Sequence, residues 1–274
     1  MSGDAPSAGA PDAATDVTDP GLRVERHGEH VDVLTLDRPG ARNALTHQLY
    51  GALERAVRTS TARCIVITGA DPAFCSGDDV RLVMMAATSP SERLEREPRL
   101  TPAADALLHT DIPVIAAVNG AAVGWGMELS MMADIRVASE RARFGELFVL
   151  RGLVSDIAGL GRLATLVGRE KAAELLFTGD VIDAAEALRI GLVSRVVPHA
   201  ELLPTALSLA DRIAANPPLA VRQLKAGLRR TLDPDWNDVG RWVSSTLAQL
   251  FKTADHREGA AAFLEKRAPE FTGT

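Results

Sequence analysis

The chain has 274 residues, 46% apolar and 24% charged, with 30 Lys and Arg against 36 Asp and Glu for a formal charge of −6, a balance that fits a soluble globular protein able to bury a large core. Its two cysteines, Cys64 and Cys75, exclude a disulfide framework and lack metal-ligand spacing, which points to a reducing cytoplasm and to no metal site. Scattered basic residues and 4% aromatics argue against nucleic acid as a partner, and the longest uncharged run, Ile112 to Met127, is broken by Pro113, Asn119 and three Gly, short of the ~20 apolar residues of a membrane helix.

In chain order, residues 1–20 hold Asp4, Asp12, Asp16 and Asp19 among Ala, Gly, Ser, Pro and Thr without one Lys or Arg, which predicts a disordered tail. Leu22 to Leu36 alternates around His27-Gly28-Glu29-His30 and predicts a β-hairpin. Thr46 caps an amphipathic helix bearing Leu49, Leu53, Ala56 and Val57, and a buried strand follows at Cys64–Thr68. Residues 88–100 are polar and Pro-bounded and read as a mobile loop. A helix at 102–109 leads to a second buried strand, Val114–Val118, then Asn119-Gly120 and a helix from Trp125 to Ala133. The order strand, Gly-rich loop, helix thus occurs twice, as in a repeated ββα unit. Beyond Gly168 the spacing predicts helices at 169–177, 183–190, 200–215, 218–231, 235–252 and 256–267 and one strand at Val193–Val197. The last sixty residues carry Trp236, Trp242, Phe251, Phe263 and Phe271 and need another surface to pack on.

No G-x-x-x-x-G-K-[ST] loop, complete dinucleotide fingerprint or G-x-S-x-G elbow is present. What remains is two loops after two buried strands, Ala73-Phe-Cys-Ser-Gly-Asp-Asp79 and Asn119-Gly-Ala-Ala-Val-Gly-Trp-Gly-Met-Glu-Leu129. Such turns free backbone N–H groups, the second at a helix N-terminus, and two of them can form one oxyanion hole. Either loop taken singly is also a plain tight turn.

These residues resemble a known family. Arg38-Pro-Gly-Ala-Arg-Asn-Ala-Leu45, Ala73 to Asp79, Ile115-Ala-Ala-Val-Asn-Gly120 with Gly124-x-Gly-x-Glu-Leu129, Ala133-Asp-Ile-Arg136, Phe144-Gly145, Thr178-Gly179 and Phe263-Leu-Glu-Lys-Arg267 are similar, in order, to signatures of the crotonase superfamily, the enoyl-CoA hydratase/isomerase group. The resemblance implies an α/β crotonase-like spiral of repeated ββα units over 21–205, a helical C-terminal oligomerisation region over 206–274, and a homotrimer or dimer of trimers. It also implies an acyl-CoA substrate as partner and no separate cofactor, since coenzyme A is part of the substrate. By motif position the thioester oxygen would sit between the backbone N–H groups of Ser76 and Trp125. Arg38, Ala73, Asp78, Gly124, Phe148, Phe263 and Lys266 would line the acyl-CoA site, with Arg81 a further candidate.

The acids then select the reaction. Glu128 shares a helix face with Trp125 and matches the first hydratase glutamate, although a Glu in a first helical turn also meets the helix dipole. The second hydratase glutamate falls at Phe148, which moves no protons; Glu146, two residues earlier, does not occupy that slot. Asp156 lies twelve residues beyond Phe144, where the resemblance extends to dienoyl-CoA isomerases and to acyl-CoA dehalogenases with a nucleophilic aspartate. It is equally a natural N-cap. Three readings stay open: a hydratase or isomerase using Glu128 and Asp156, an Asp156-nucleophile hydrolase or dehalogenase, and a non-catalytic acyl-CoA binder.

Overall fold

The computed structural model describes residues 17–19, 21–80, 82, 94 and 99–274. Val17–Asp19 form strand β1 against β2 (Leu22–His27), which corrects the expected tail at its inner end: pairing with an ordered hairpin recruits three residues whose composition alone gives no reason to order. The remainder of 1–20, Arg81 and nearly all of the loop expected at 88–100 lie outside the described residues.

The hairpin closes with β3 (Val31–Leu36), and α1 (His47–Thr59) starts where Thr46 Oγ1 accepts the Leu49 N–H at 3.2 Å. Then follow β4 (Cys64–Gly69), β5 (Ala73–Cys75), α2 (Pro102–His109), β6 (Val114–Val118), β7 (Ala121–Val123), α3 (Trp125–Met132), β8 (Ile135–Ser139) and β9 (Arg143–Gly145). Among the described residues the strands form a seven-stranded sheet, β1-β2-β3-β4-β6-β8-β11, and a four-stranded sheet, β10-β9-β7-β5, with β10 at Val181–Asp183 and β11 at Arg195–Val197. The repeat expected from sequence is explicit in this order. Each of the pairs β4/β5, β6/β7 and β8/β9 sends its first strand to the large sheet and its second to the small one, and β3, β4, β6, β8 and β11 run parallel.

Parallel strands covered on both faces read as near-continuous apolar runs, and β4 and β6 follow that rule, Thr68 being the one polar side chain, with its hydroxyl donating to the Ala117 carbonyl at 2.9 Å. Ile65, Ile67, Ala116 and Val118 point into the main core with α1, α2 and α3, while the alternating Cys64, Val66, Ile115 and Ala117 meet Leu202, Ala206 and Ala210 of a later helix on the other face. The two cysteines are therefore plain core groups, and burial pushes both thiols up to about 12.

The helix predicted to follow Asp156 divides into α4 (Ile157–Gly161) and α5 (Leu163–Val167). Arg162 at the join turns its guanidinium to the Met131 and Met132 carbonyls and to Asp233, partners a straight helix would not bring together. Then come α6 (Arg169–Thr178), α7 (Ala184–Arg189), α8 (Leu202–Ala214), α9 (Pro218–Leu232), α10 (Trp236–Leu250) and α11 (Ala254–Glu265). The last helix begins two residues earlier than the spacing predicts because Thr253 caps it, and it stops at Lys266, whose left-handed φ of 56° cannot continue a helix. Trp236 is buried against Gly161, but Leu224, Leu228, Leu232 and Trp242 remain exposed. No helix of the described residues is long and apolar enough to cross a membrane.

Candidate active site

The two Gly-rich loops meet at the start of α3. A side chain at Gly126 would collide with the Cys75 carbonyl, and a Cβ on Gly77 would stand 3.2 Å from the Trp125 nitrogen. Glycine at these places lets the two loops approach backbone to backbone. Trp125 is the first residue of α3, so its N–H belongs to the set that a helix leaves without an internal partner.

Ser76 departs from its expected role. Its N–H donates to the Arg42 carbonyl at 3.1 Å and its hydroxyl to Ala41, so both groups are committed to the neighbouring loop. One residue on, Leu45 donates to the Gly77 carbonyl at 2.8 Å and accepts from Asp79 N–H at 2.9 Å, a parallel bridge centred on Leu45 and Asp78. Alternation in that bridge turns the Asp78 N–H away from Leu45. The Asp78 carboxylate accepts the Tyr50 hydroxyl at 2.6 Å, and the Tyr50 ring meets the Trp125 ring edge to face at 4.6 Å.

Asp156 lies on the far side of Trp125. Its Oδ2 accepts the indole N–H at 2.9 Å and its Oδ1 the Ile157 N–H at 2.9 Å, so the residue caps α4 and holds the Trp125 side chain at once. Burial, and after it the charge of Asp78, pushes the carboxyl up to about 6, against the opposing pull of those two hydrogen bonds.

Glu128 is fully buried one turn into α3. Its oxygens accept the N–H groups of Ala158 at 2.7 Å and Gly159 at 3.0 Å and the Ser155 hydroxyl at 2.9 Å. The same hydroxyl lies 2.8 Å from Glu146, which is also buried. Burial is the main cause raising both glutamates; their mutual proximity and Asp156 add to it at Glu128. Glu146, Ser155 and Tyr50 are the members that sequence spacing missed. A signal for Glu146 existed in topology: β7 and β9 are parallel neighbours, so the residue after Gly145 emerges beside the loop after Val123.

The remaining expected residues divide. Phe148 is buried and starts the 3₁₀ turn Val149–Arg151. Gly124, at φ 54°, turns the chain into α3. Ala73 is wholly buried, its carbonyl taken by the Asn43 and Asn119 amides, so it presents no surface to a ligand. Arg38 donates to the Ala44 carbonyl and pairs with Asp79 at 3.4 Å. Phe263 is half exposed with the Arg151 guanidinium 4.3 Å over its ring, and Lys266 is exposed at the end of α11.

Residues 26–274 match the family model described as enoyl-CoA hydratase/isomerase. The short-chain-enoyl-CoA hydratase of Clostridium acetobutylicum is 36% identical over 252 residues, covering 90% of this chain and 95% of that protein. Among solved structures, an enoyl-CoA hydratase from Mycobacterium avium subsp. paratuberculosis superposes with a TM-score of 0.81 at 27% identity, covering 93% of this chain and 100% of the other. A monofunctional enoyl CoA isomerase from M. smegmatis does so with a TM-score of 0.65 at 31% identity, covering 77% and 93%.

Proposed function

The chain belongs to the enoyl-CoA hydratase/isomerase family and is an acyl-CoA enzyme, and on that premise we propose that it shifts a double bond along an enoyl-CoA by carrying one proton on Asp156. The observation that carries this reading is Asp156 itself, a buried carboxylate beside the two-loop junction, pushed up to about 6 and so able both to take and to return a proton near neutrality. Hydration by paired glutamates has weaker support, because Phe148, which moves no protons, occupies the second position.

In this mechanism the thioester oxygen rests between the N–H groups of Trp125 and Asp78, the latter replacing Ser76. Asp156 takes the proton from C2 of a 3-enoyl-CoA, and the C–H pair moves into a dienolate whose negative charge collects on the oxygen between the two donors. Each such donor is typically worth about 3 kcal/mol in the transition state. Asp156 then returns the proton to C4, leaving the conjugated 2-enoyl-CoA with no water added. Arg38 and Lys266 supply cations for the nucleotide end and Phe263 an apolar contact. The exposed Leu224, Leu228, Leu232 and Trp242 support a homotrimer or a dimer of trimers.

Incubating the protein with 3-enoyl-CoA and 2-enoyl-CoA separately, with mass-spectrometric readout, tests the reading. Interconversion without change of mass, lost in Asp156→Asn, is expected. A product heavier by one water that survives Asp156→Asn but not Glu128→Gln establishes hydration instead, and ¹⁸O from solvent appearing in Asp156 after turnover establishes the hydrolase.

A further inference from the structure

We propose that Glu146 is the proton-holding member of the Glu128–Glu146 pair bridged by Ser155, so that it acts as a positioning residue keeping Glu128 the charged partner beside Asp156. The inference rests on donor counting. A serine hydroxyl has one hydrogen, yet Ser155 Oγ stands 2.9 Å from Glu128 Oε1 and 2.8 Å from Glu146 Oε2. It can donate to one carboxyl only, and at the other it must accept, which requires that carboxyl to carry a proton.

The surrounding groups identify which one. Glu128 Oε2 accepts from Ala158 and Gly159 N–H groups and its Oε1 from Gly159, a set of donors that favours a carboxylate. Glu146 Oε1 is buried with no hydrogen-bond partner among the described residues, an arrangement far less costly for a neutral carbonyl oxygen than for a carboxylate. The titratable groups facing Glu146 are Glu128 on α3 and Asp156 at the head of α4; Asp78 stands behind Asp156. Burial raises both glutamates, Glu128 well above its ordinary value and Glu146 up to about 8, so the choice between them rests on the hydrogen-bond donors and not on burial. The hydrogen bonds therefore run from Glu146 O–H to Ser155 and from Ser155 O–H to Glu128. Ionisation of Glu146 would reverse the hydroxyl or strand it, and would add a further buried negative charge beside Glu128 and Asp156.

This builds on Asp156 as proton carrier, but its direct test does not need turnover. At about neutral pH the infrared C=O stretch of a protonated carboxyl is expected in the full-length protein and is expected to vanish in Glu146→Gln; its persistence in that variant, or its absence from the unsubstituted protein, overturns the assignment. If Glu146→Gln does not fold, the unsubstituted protein titrated through about pH 8 must lose the band together with kcat/KM, and a band unchanged through that range overturns the proposal. In a folding variant the alkaline fall in kcat/KM is absent, a change in pH profile that a purely structural role would not produce. Should Asp156→Asn retain isomerisation, the proposed function fails while the infrared assignment stands; an absent band with Asp156→Asn inactive separates the reverse case.

Discussion

Asp156→Asn tests the proposed chemistry and the energetics of the site together. In the native protein the carboxyl is moved from 3.8 to about 6, roughly 2 units, which corresponds to about 3 kcal/mol at 1.36 kcal/mol per unit. The sign follows from proton counting: between those two values the folded state holds more protons than the unfolded state, so stability falls as pH rises from about 4 to about 6 and stays lowered above it. Asparagine removes that burden. It also offers one oxygen where two N–H donors, from Trp125 and Ile157, now point at two oxygens, so one donor faces an amide NH₂ at a cost of about 1–3 kcal/mol. The two effects nearly offset one another at neutral pH, and the variant is expected within about 2 kcal/mol of the parent there, while below about pH 4 it is the less stable of the two. Urea unfolding across that range measures the crossing. Activity behaves differently: loss of the proton carrier lowers kcat by ~10²–10⁴-fold. Isomerisation within tenfold of the parent would refute the assigned role and leave Asp156 as a helix cap, and a stability difference that does not vary with pH would refute the raised carboxyl.

Trp125→Pro and Trp125→Gly both delete the indole, but only proline deletes the N–H, and the first helical position tolerates proline; the proline variant is expected to lose a further ~10²–10³-fold in kcat/KM if that N–H faces the thioester oxygen. Gly159→Ala places a methyl against Ser155 Oγ and 2.7 Å from Glu128 Oε1, so thermal unfolding should report a loss of about 1–3 kcal/mol from overpacking, accompanied by reduced turnover. Cys64 and Cys75, buried and pushed up to about 12, are expected to resist a thiol reagent in the native protein and to react fully in denaturant, and fast native labelling of either would contradict the packing of β4 and β5.

The order of elements was legible because each rests on local chemistry. Thr46 announces α1 by its side-chain cap, and the near-continuous apolar runs of β4 and β6 announce strands covered on both faces. Glu128 was legible too, since its spacing from Trp125 is a helical turn and both lie in one continuous helix. Ser76 shows the limit of motif position: which N–H of a turn points at a ligand depends on the bridge that Leu45 makes with Gly77 and Asp79, a contact across more than thirty residues.

Glu146 shows the same limit from the other side. Its offset from Phe144 gave no reason to choose it, because the loop after β9 and the head of α4 are brought to one hydroxyl by parallel strand pairing rather than by spacing. The double role of Asp156 belongs here as well, for a cap is a local property whereas its bond to the Trp125 indole joins residues thirty-one apart. Periodicity, caps and glycine placement thus settle the helices, the strands and the two Gly-rich loops, since those depend on near neighbours in the chain. Protonation, N–H direction and the partners of each acid depend on how far water is excluded and which dipoles converge there, and these exist only once the two sheets and α3 and α4 have packed.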